Sequence, residues 1–141
     1  MRLLLDTHIW LWSFIDPDRL GPRVGIELRD SGNELWLSPI STWEALTLHD
    51  KKRVYLAADV KEWIALNTAP FLQAPLTHEI VALAHRLPLP HRDPADRFLA
   101  ATAKVLDLTL VTADENLLGL GDIATLGNRE ATLRFHQRGR G

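Results

Sequence analysis

Short apolar runs alternate along this chain with longer segments in which apolar residues recur every three or four positions. The short runs predict strands at residues 3–5, 34–37, 73–76 and 109–112. The longer segments predict helices at residues 22–31, 39–49, 59–66, 77–87 and 93–106, with a short one at 114–118. Strands that alternate with helices indicate an α/β domain built around a parallel sheet.

Three further segments are interpreted from their local composition. Residues 7–15 could continue the first strand or form a buried helix, and the cap-forming residues Asp6 and Thr7 favour the helix. Residues 119–127 have the composition of a loop, whereas residues 131–135 of the tail are predicted as an edge strand. We therefore predict one domain over residues 1–127, followed by a partly flexible C-terminal segment at 128–141.

Composition excludes several classes of chemistry. The chain has 141 residues, enough for one domain with its own core, and no cysteine. The lack of cysteine excludes a disulfide framework, a thiol nucleophile and a Cys-ligated zinc site. The formal net charge is −2, so a polyanion would have to be bound by local basic patches or through a bound cation.

The start of the chain does not have the pattern of a targeting signal. Asp6 and His8 interrupt the apolar run that begins at Leu3, and no small-residue cleavage site follows. No apolar stretch approaches the ~20 residues that a membrane span needs. We expect a cytoplasmic protein without a membrane partner.

Acidic residues lie where the predicted sheet would place a ligand. Asp6 and Asp114 follow the first and last predicted strands, and ligands in open α/β sheets bind beyond the carboxyl ends of the strands. Asp96 lies in the first turn of a helix that Asp93 and Pro94 begin, and such N-termini open onto the same edge. Glu44 lies one turn inside the helix that follows the second strand.

A shared site for these acids has a physical requirement. Carboxylates this close together cannot all stay ionised without a counter-charge. A hard divalent cation supplies that charge, and oxygen-only ligands favour Mg²⁺ or Mn²⁺. Beside a phosphodiester, such an ion lowers the pKa of a bound water and stabilises charge on the phosphate oxygens.

Each acid also has an ordinary structural interpretation. Asp93 and Asp114 could serve as helix N-caps, and Asp96 could be favoured by the helix dipole. Glu44 taken alone is only a helical residue. Asp6 is harder to explain in this way, because an acid that ends a buried strand needs a partner.

Four motifs together resemble the PIN-domain family. They are Leu4-Leu5-Asp6-Thr7-His8, the segment from Ser38 to Glu44, the segment from Asp93 to Ala103, and Leu110-Val111-Thr112-Ala113-Asp114. Their order, their spacing and the chain length all agree with that family. The subgroup that the chain resembles is the VapC-type toxins of bacterial toxin–antitoxin pairs.

The resemblance implies a three-layer α/β/α PIN-like fold with a central parallel sheet, and an endoribonuclease that depends on Mg²⁺ or Mn²⁺. Asp6, Glu44, Asp96 and Asp114 match the family's four acids, as catalytic residues and metal ligands. Asp93 matches an extra acid of the subgroup, Thr112 matches a hydroxyl that lines the site, and Arg97 matches a basic residue that contacts phosphate or orients Asp96. A surface arginine is the alternative for Arg97.

The resemblance also implies partners, which are an RNA substrate, a cognate antitoxin whose C-terminal segment covers the acids, and a second copy of the chain in a homodimer. Exposed tryptophans would suit the antitoxin groove, although most are expected in the core. The candidates are Trp10, Trp12, Trp36, Trp43 and Trp63.

The chain departs from the subgroup in two places. The subgroup usually carries an Ile-Lys pair after the residue that matches Glu44, but residues 45–49 contain no lysine. Lys51, Lys52 or Arg53 are candidates to replace it. Ala95 stands where phenylalanine is frequent. These differences affect the expected substrate contacts and antitoxin fit, and they leave the acids intact.

Other functions fit the sequence less well. A phosphatase of the haloacid-dehalogenase type needs a second acid two residues after Asp6, where this chain has His8. A receiver domain needs a lysine after a late strand, which has no match here. A non-catalytic PIN-like module that binds RNA or protein is the remaining alternative, and the intact acid set argues against it. The six histidines show no zinc-binding spacing, and none is assigned to catalysis.

Overall fold

The computed structural model describes residues 1–89 and 93–129. Five strands form one sheet, and they are β1 (Arg2–Leu5), β2 (Glu34–Leu37), β3 (Leu72–Gln73), β4 (Thr109–Thr112) and β5 (Thr125–Gly127). The α-helices of the described part are α1 (Thr7–Ile15), α2 (Pro22–Arg29), α3 (Pro39–Asp50), α4 (Val60–Thr68), α5 (His78–Arg86), α6 (Pro94–Leu106) and α7 (Glu115–Leu118). A 3-10 turn, Pro17–Arg19, joins α1 to α2.

The sheet is parallel throughout, and its strand order is β3-β2-β1-β4-β5. The chain builds outward from β1 to β3 and then returns to the other side of β1 through β4. The order therefore reverses between β1 and β4, and such a switch point is where open α/β sheets bind ligands. The predicted α/β class and parallel sheet are confirmed.

The two faces of the sheet carry separate apolar layers. Alternate side chains of a strand point to opposite faces, so Leu4 and Leu110 pack with α5 and α6, while Leu3, Leu5 and Val111 pack with α1. All five of these side chains are fully buried. Strands covered on both faces read as continuous apolar runs, which is why β1 and β4 were detectable in the sequence.

The helix starts follow the capping chemistry of the sequence. The Asp6 side chain caps α1, which resolves the segment 7–15 as a helix. The Ser38 hydroxyl accepts from the Ile40 amide at 3.1 Å, and the Asp93 carboxylate accepts from the Ala95 amide at 3.0 Å. Asp114 caps α7 by accepting from the Asn116 amide at 2.9 Å.

The prediction for the last part of the sheet was wrong. Residues 119–127 were expected to be a loop, yet Thr125–Gly127 form β5 and pair with β4 in parallel register. The strand has three residues, and only Leu126 among them is buried, so it lacks a periodic apolar pattern. The edge strand predicted at 131–135 lies outside the described residues.

Other predicted elements have different bounds in the structure. The third strand was predicted at 73–76 and spans Leu72–Gln73, and the second helix ends at Arg29 rather than at residue 31. Within residues 1–89 and 93–129, no helix combines the length and apolar character required to cross a bilayer.

Candidate active site

Asp6 and Thr112 join the carboxyl ends of β1 and β4. The Asp6 amide donates to the Val111 carbonyl oxygen at 3.0 Å, which extends the ladder by one residue. The Thr112 hydroxyl donates to Oδ2 of Asp6 at 2.6 Å, and the Thr7 amide donates to Oδ1 at 2.7 Å. Both Asp6 and Thr112 are buried. The acid that ends β1 is therefore fixed at both oxygens.

The same hydroxyl positions Asp114. The Asp114 amide donates to Oγ1 of Thr112 at 3.0 Å, so the chain turns at the end of β4 before α7 begins. Because Thr112 is the last residue of β4, its side chain holds one acid by donating a hydrogen bond and the next by accepting one. Asp114 is half-buried at this edge.

Glu44 reaches the site from α3. The Thr7 hydroxyl donates a short hydrogen bond to Oε1 of Glu44 and lies 3.1 Å from the hydroxyl oxygen of Ser41. Thr7 and Ser41 are fully buried, whereas Glu44 is half-buried. The residue next to Asp6 thus connects α1 to α3 and fixes the orientation of a second acid.

Asp96 and Asp93 come from the start of α6. Asp96 lies in its first turn and is buried, and Asp93 is the exposed N-cap. A hydrogen bond links the Asp96 and Asp114 carboxyl groups. The structure therefore brings all four predicted acids, and Asp93 beside them, to the carboxyl edge of the sheet at its switch point.

Burial and mutual repulsion raise three of the pKa values. Burial raises the pKa of Asp6, opposed by the hydrogen bond from Thr112. Burial also raises the pKa of Glu44, with further contributions from the charges of Asp93 and Asp6, against the hydrogen bond from Thr7.

Asp96 is the most strongly affected acid. Burial and then the negative charge of Asp6 raise its pKa from 3.8 to about 8. The charges of Asp93 and Asp114 act in the same direction, as does the hydrogen bond with Asp114. At neutral pH the metal-free site therefore holds a proton that a divalent cation would replace.

The donor set fits a hard divalent cation by atom type and by charge. It consists of carboxylate oxygens. Burial, and after it the charges of neighbouring acids, raise the pKa values of three of them, and a bound cation would offset both effects. Over residues 1–89 and 93–129, however, no three His, Asp or Glu side chains are arranged so that they could hold an ion together. The acids share an edge and an electrostatic potential without forming a coordination shell in this conformation.

Arg97 takes a structural position beside the acids. Its Nη1 donates to the carbonyl oxygens of Ala84 at 3.1 Å and Leu87 at 2.7 Å, at the C-terminal end of α5. These carbonyls lack helical partners, so a cation is favourable there. In this structure Arg97 joins α5 to α6 and is half-buried, so it is not the surface arginine that was the alternative. A phosphate contact and an effect on the orientation of Asp96 stay predictions.

Sequence reasoning did not identify Thr7 or Ser41 as part of the site. Both are small hydroxyl residues beside an acid or a helix start, and such residues usually serve as caps. Their proximity depends on α1 packing against α3. The position of Thr7 directly after Asp6 was the only available signal.

The basic residues considered as replacements for the missing lysine lie away from Glu44. Lys51 follows the last residue of α3, seven positions beyond Glu44 and thus about two helical turns along the axis. Lys52 and Arg53 come after it, and all three are exposed.

The tryptophans divide between core and surface. Trp10 is fully buried and donates its indole N–H to the Asn67 carbonyl at 3.1 Å. Trp12, Trp36 and Trp63 are partly buried against the two layers. Trp43, the neighbour of Glu44, is 56% exposed. It is the tryptophan whose position is compatible with a partner contact.

Residues 3–122 match the family model described as PIN domain. The chain therefore belongs to the PIN-domain family. It is also 32% identical over 116 residues to ribonuclease VapC22 of Mycobacterium tuberculosis, an alignment that covers 82% of this chain and 88% of that protein. It therefore belongs to the VapC family within the PIN domains.

Solved structures show the same fold at lower identity. VapBC2 from Rickettsia felis, bound to a DNA fragment of its promoter, superposes with a TM-score of 0.68 at 15% identity, over 92% of this chain and 100% of that one. A toxin–antitoxin complex from Klebsiella pneumoniae gives a TM-score of 0.64 at 18% identity, over 91% and 98%. Family membership excludes the phosphatase and receiver alternatives.

Proposed function

We propose that this chain is the ribonuclease toxin of a toxin–antitoxin pair and that Asp6, Glu44, Asp96 and Asp114 hold the divalent cation it requires. Membership of the VapC family supports the activity class, a ribonuclease that hydrolyses phosphodiester bonds. The observation that carries the site is that the four acids meet at one edge of the sheet, where Thr112 and Thr7 hold Asp6 and Glu44. Burial is the main cause of the raised pKa values of Asp6, Glu44 and Asp96, and the charges of neighbouring acids add to it.

The acids have different proposed roles, which follow from their burial and their hydrogen-bond partners. Asp6 and Asp96 are the strongest candidate ligands, because both are buried and the charge of Asp6 acts on Asp96. Glu44 is presented by Thr7, and the contact between α1 and α3 fixes its distance from Asp6. Asp93 is exposed and lies close enough to affect Glu44 and Asp96, so it suits a contact made through water.

The cation proposed is Mg²⁺ or Mn²⁺, because the donors are all oxygens. When bound, such an ion lowers the pKa of a coordinated water and stabilises negative charge on the phosphate. Attack by water needs neither a protein nucleophile nor the 2′-hydroxyl group, so the products should carry 5′-phosphate ends.

Cleavage of a labelled pool of structured RNAs tests this site. The purified protein is compared in Mg²⁺, in Mn²⁺ and in EDTA, beside Asp6→Asn and Asp96→Asn. Asp122→Asn is the matched control, because it removes the same charge from an exposed aspartate that pairs with Lys104. We expect metal-dependent cuts with 5′-phosphate ends, lost in both site variants and retained in the control.

Two results would contradict the proposal. Cuts that persist in EDTA or in folded Asp6→Asn protein would show that another group performs the chemistry or that a contaminant is present. Cuts with 2′,3′-cyclic phosphate ends would show that the 2′-hydroxyl attacks. Circular dichroism and thermal unfolding of each variant establish that it is folded.

The similar solved structures support a proposal for the partners of this chain. The structures from Rickettsia felis and Klebsiella pneumoniae are described as VapBC2 and as a toxin–antitoxin complex. We propose a cognate antitoxin for this chain, with exposed Trp43 beside Glu44 as a contact, together with a homodimer and a cytoplasmic location. Replacement of Trp43 by alanine should weaken antitoxin binding without changing RNA cleavage by the free toxin.

A further inference from the structure

His8, Trp12 and Arg19 form a small cluster on the surface next to the site. His8 and Trp12 are one turn apart on α1, with ring centroids 5.7 Å apart and planes tilted by 53°. The Cζ atom of Arg19 lies 5.1 Å from the centroid of the Trp12 ring. His8 and Arg19 are exposed, whereas Trp12 is partly buried against the core. One anchored indole therefore supports an imidazole and a guanidinium.

One end of this cluster adjoins the acids. His8 lies in the first turn of α1, which Asp6 caps, and Thr7 between them bonds Glu44. His8 therefore belongs to the helical turn that begins at the first of the four acids, and its own surface faces solvent.

The other end is tied to the same edge of the sheet. The Asn128 amide donates to the Thr112 carbonyl oxygen at 2.9 Å, and its side-chain Nδ2 donates to the Arg19 carbonyl oxygen at 3.0 Å. Its Oδ1 accepts from the Gly21 amide at 2.6 Å. Asn128 therefore fixes the backbone of Arg19 relative to Thr112, whose hydroxyl holds Asp6.

The cluster lies where it can offset the repulsion between the acids and an RNA strand. An RNA strand approaching a cluster of carboxylates on a chain of net charge −2 is repelled unless cations line its path. Imidazole and guanidinium N–H groups donate to phosphate oxygens, and a neutral imidazole retains one such donor. Flat exposed groups also stack on unpaired bases.

We propose that His8 and Arg19, held by the Trp12 ring, form the surface that binds the RNA strand beside the scissile phosphate. The inference rests on the proposed function, since it assumes that RNA is cleaved at the four acids. Trp12 is a positioning residue, because its neighbours cover its ring. The strand is bound by its phosphates and by an unpaired base, so a single-stranded segment is the expected substrate.

Asp16 is the charged group that competes for Arg19. Its Oδ2 lies 3.8 Å from Nε of Arg19, and the two side chains are 52% and 61% exposed. An exposed pair at this separation is weakly held. A phosphate that approaches Arg19 can therefore displace it, and removal of Asp16 should strengthen RNA binding.

The test measures RNA binding and cleavage separately. Anisotropy of a short fluorescein-labelled single-stranded RNA of mixed sequence gives affinity at several salt concentrations, and initial rates give KM and kcat. The variants are His8→Ala, Arg19→Ala, Trp12→Phe and Trp12→Leu. Arg29→Ala is the matched control, because this exposed arginine ends α2, on the segment that leads to the amino end of β2.

We expect His8→Ala and Arg19→Ala to weaken RNA binding severalfold, with a raised KM and a kcat close to the wild-type value. In Arg19→Ala the slope of log affinity against log salt should become shallower by about 0.7 for each phosphate that the protein no longer neutralises. Trp12→Leu should weaken binding to the same extent and Trp12→Phe should restore most of it, because an aromatic ring still supports both neighbours.

The proposal is overturned if His8→Ala and Arg19→Ala bind RNA as Arg29→Ala does, with an unchanged salt slope. It is also overturned if the wild-type protein does not bind single-stranded RNA, or if the loss falls on kcat alone. If instead the proposed metal site is wrong, the results differ. Cleavage would persist in Asp6→Asn, while RNA binding would still be weakened by His8→Ala and Arg19→Ala.

Discussion

The Thr112 hydroxyl donates a 2.6 Å hydrogen bond to Oδ2 of Asp6 and accepts one of 3.0 Å from the Asp114 amide. One buried side chain on β4 thus orients the acid that ends β1 and the acid that follows β4. A carboxylate held in this way keeps its other lone pairs directed towards a ligand. Groups that hold metal ligands usually affect metal affinity nearly as much as the ligands do.

Replacement of Thr112 by valine should therefore impair function more than folding. Valine preserves the branched shape and removes the hydroxyl, so Asp6 loses a donor and the Asp114 amide loses its acceptor. We expect metal affinity or cleavage rate to fall by roughly 10- to 100-fold, and the free energy of unfolding to fall by about 1 kcal/mol. Calorimetric Mn²⁺ titration and cleavage assays measure the first effect, and urea unfolding the second.

Thr112→Ser provides the control, because serine keeps the hydroxyl and loses only a methyl group. Its metal affinity should stay near that of the wild type. If valine and serine lower activity equally, the hydroxyl is not what orients the acids.

Local signals in the sequence were sufficient for most of the fold. The buried strands β1 and β4 appear as apolar runs that end in acids, and the capping residues Ser38 and Asp93 mark two helix starts. Topology rules then place Asp6 and Asp114 at one edge, since parallel strands present their carboxyl ends together. Recognition of the four motifs supplied the expected role of Glu44.

The structural features that the sequence did not predict depend on contacts between distant residues. β5 is stabilised by its pairing with β4, so its three residues carry no strand pattern of their own. The bond from Thr7 to Glu44 spans 37 positions and exists only because α1 packs against α3. Arg97 was interpreted from its position next to Asp96, but the carbonyls at the end of α5 fix its orientation.

The raised pKa of Asp96 predicts how the stability of the metal-free protein depends on pH. Folding raises this pKa from 3.8 to about 8, so between those values the folded state keeps a proton that the unfolded chain releases. The free energy of unfolding should therefore fall as pH rises through this window and level off above it. The raised pKa values of Asp6 and Glu44 act in the same direction.

Thermal unfolding in EDTA across this pH range measures the effect. Asp96→Asn removes the titrating group, and its Tm should decline less steeply between pH 5 and pH 8 than that of the wild type. Mg²⁺ should raise the wild-type Tm more at the upper end, because the cation competes with the proton. Parallel pH curves for the two proteins would contradict the assigned pKa.

Arg97 should prove to be important for stability rather than for phosphate binding. Its Nη1 bonds two carbonyl oxygens at the end of α5, so Arg97→Ala removes a charged donor from half-buried acceptors. We expect a loss of about 1–3 kcal/mol in the free energy of unfolding. The KM for RNA should remain unchanged below the lowered Tm. A raised KM with unchanged stability would instead support the phosphate contact.

Asp93 combines two roles that a pair of substitutions can separate. Its carboxylate caps α6 by accepting from the Ala95 amide, and its charge raises the pKa values of Glu44 and Asp96. Asp93→Asn keeps a capping side chain without the charge, whereas Asp93→Ala removes both. We expect alanine to cost about 1 kcal/mol of stability and asparagine to cost little.

RNA cleavage by Asp93→Asn and Asp93→Ala should depend on the lost charge of residue 93 and not on its capping of α6. If Asp93 contacts the site through water, both variants lose cleavage to a similar extent at saturating RNA, and both bind Mn²⁺ less tightly. The pKa of Asp96, followed by NMR titration of metal-free protein, should fall in both variants because one negative neighbour is gone. Full activity in Asp93→Asn, with a loss only in Asp93→Ala, would show that Asp93 serves the helix alone.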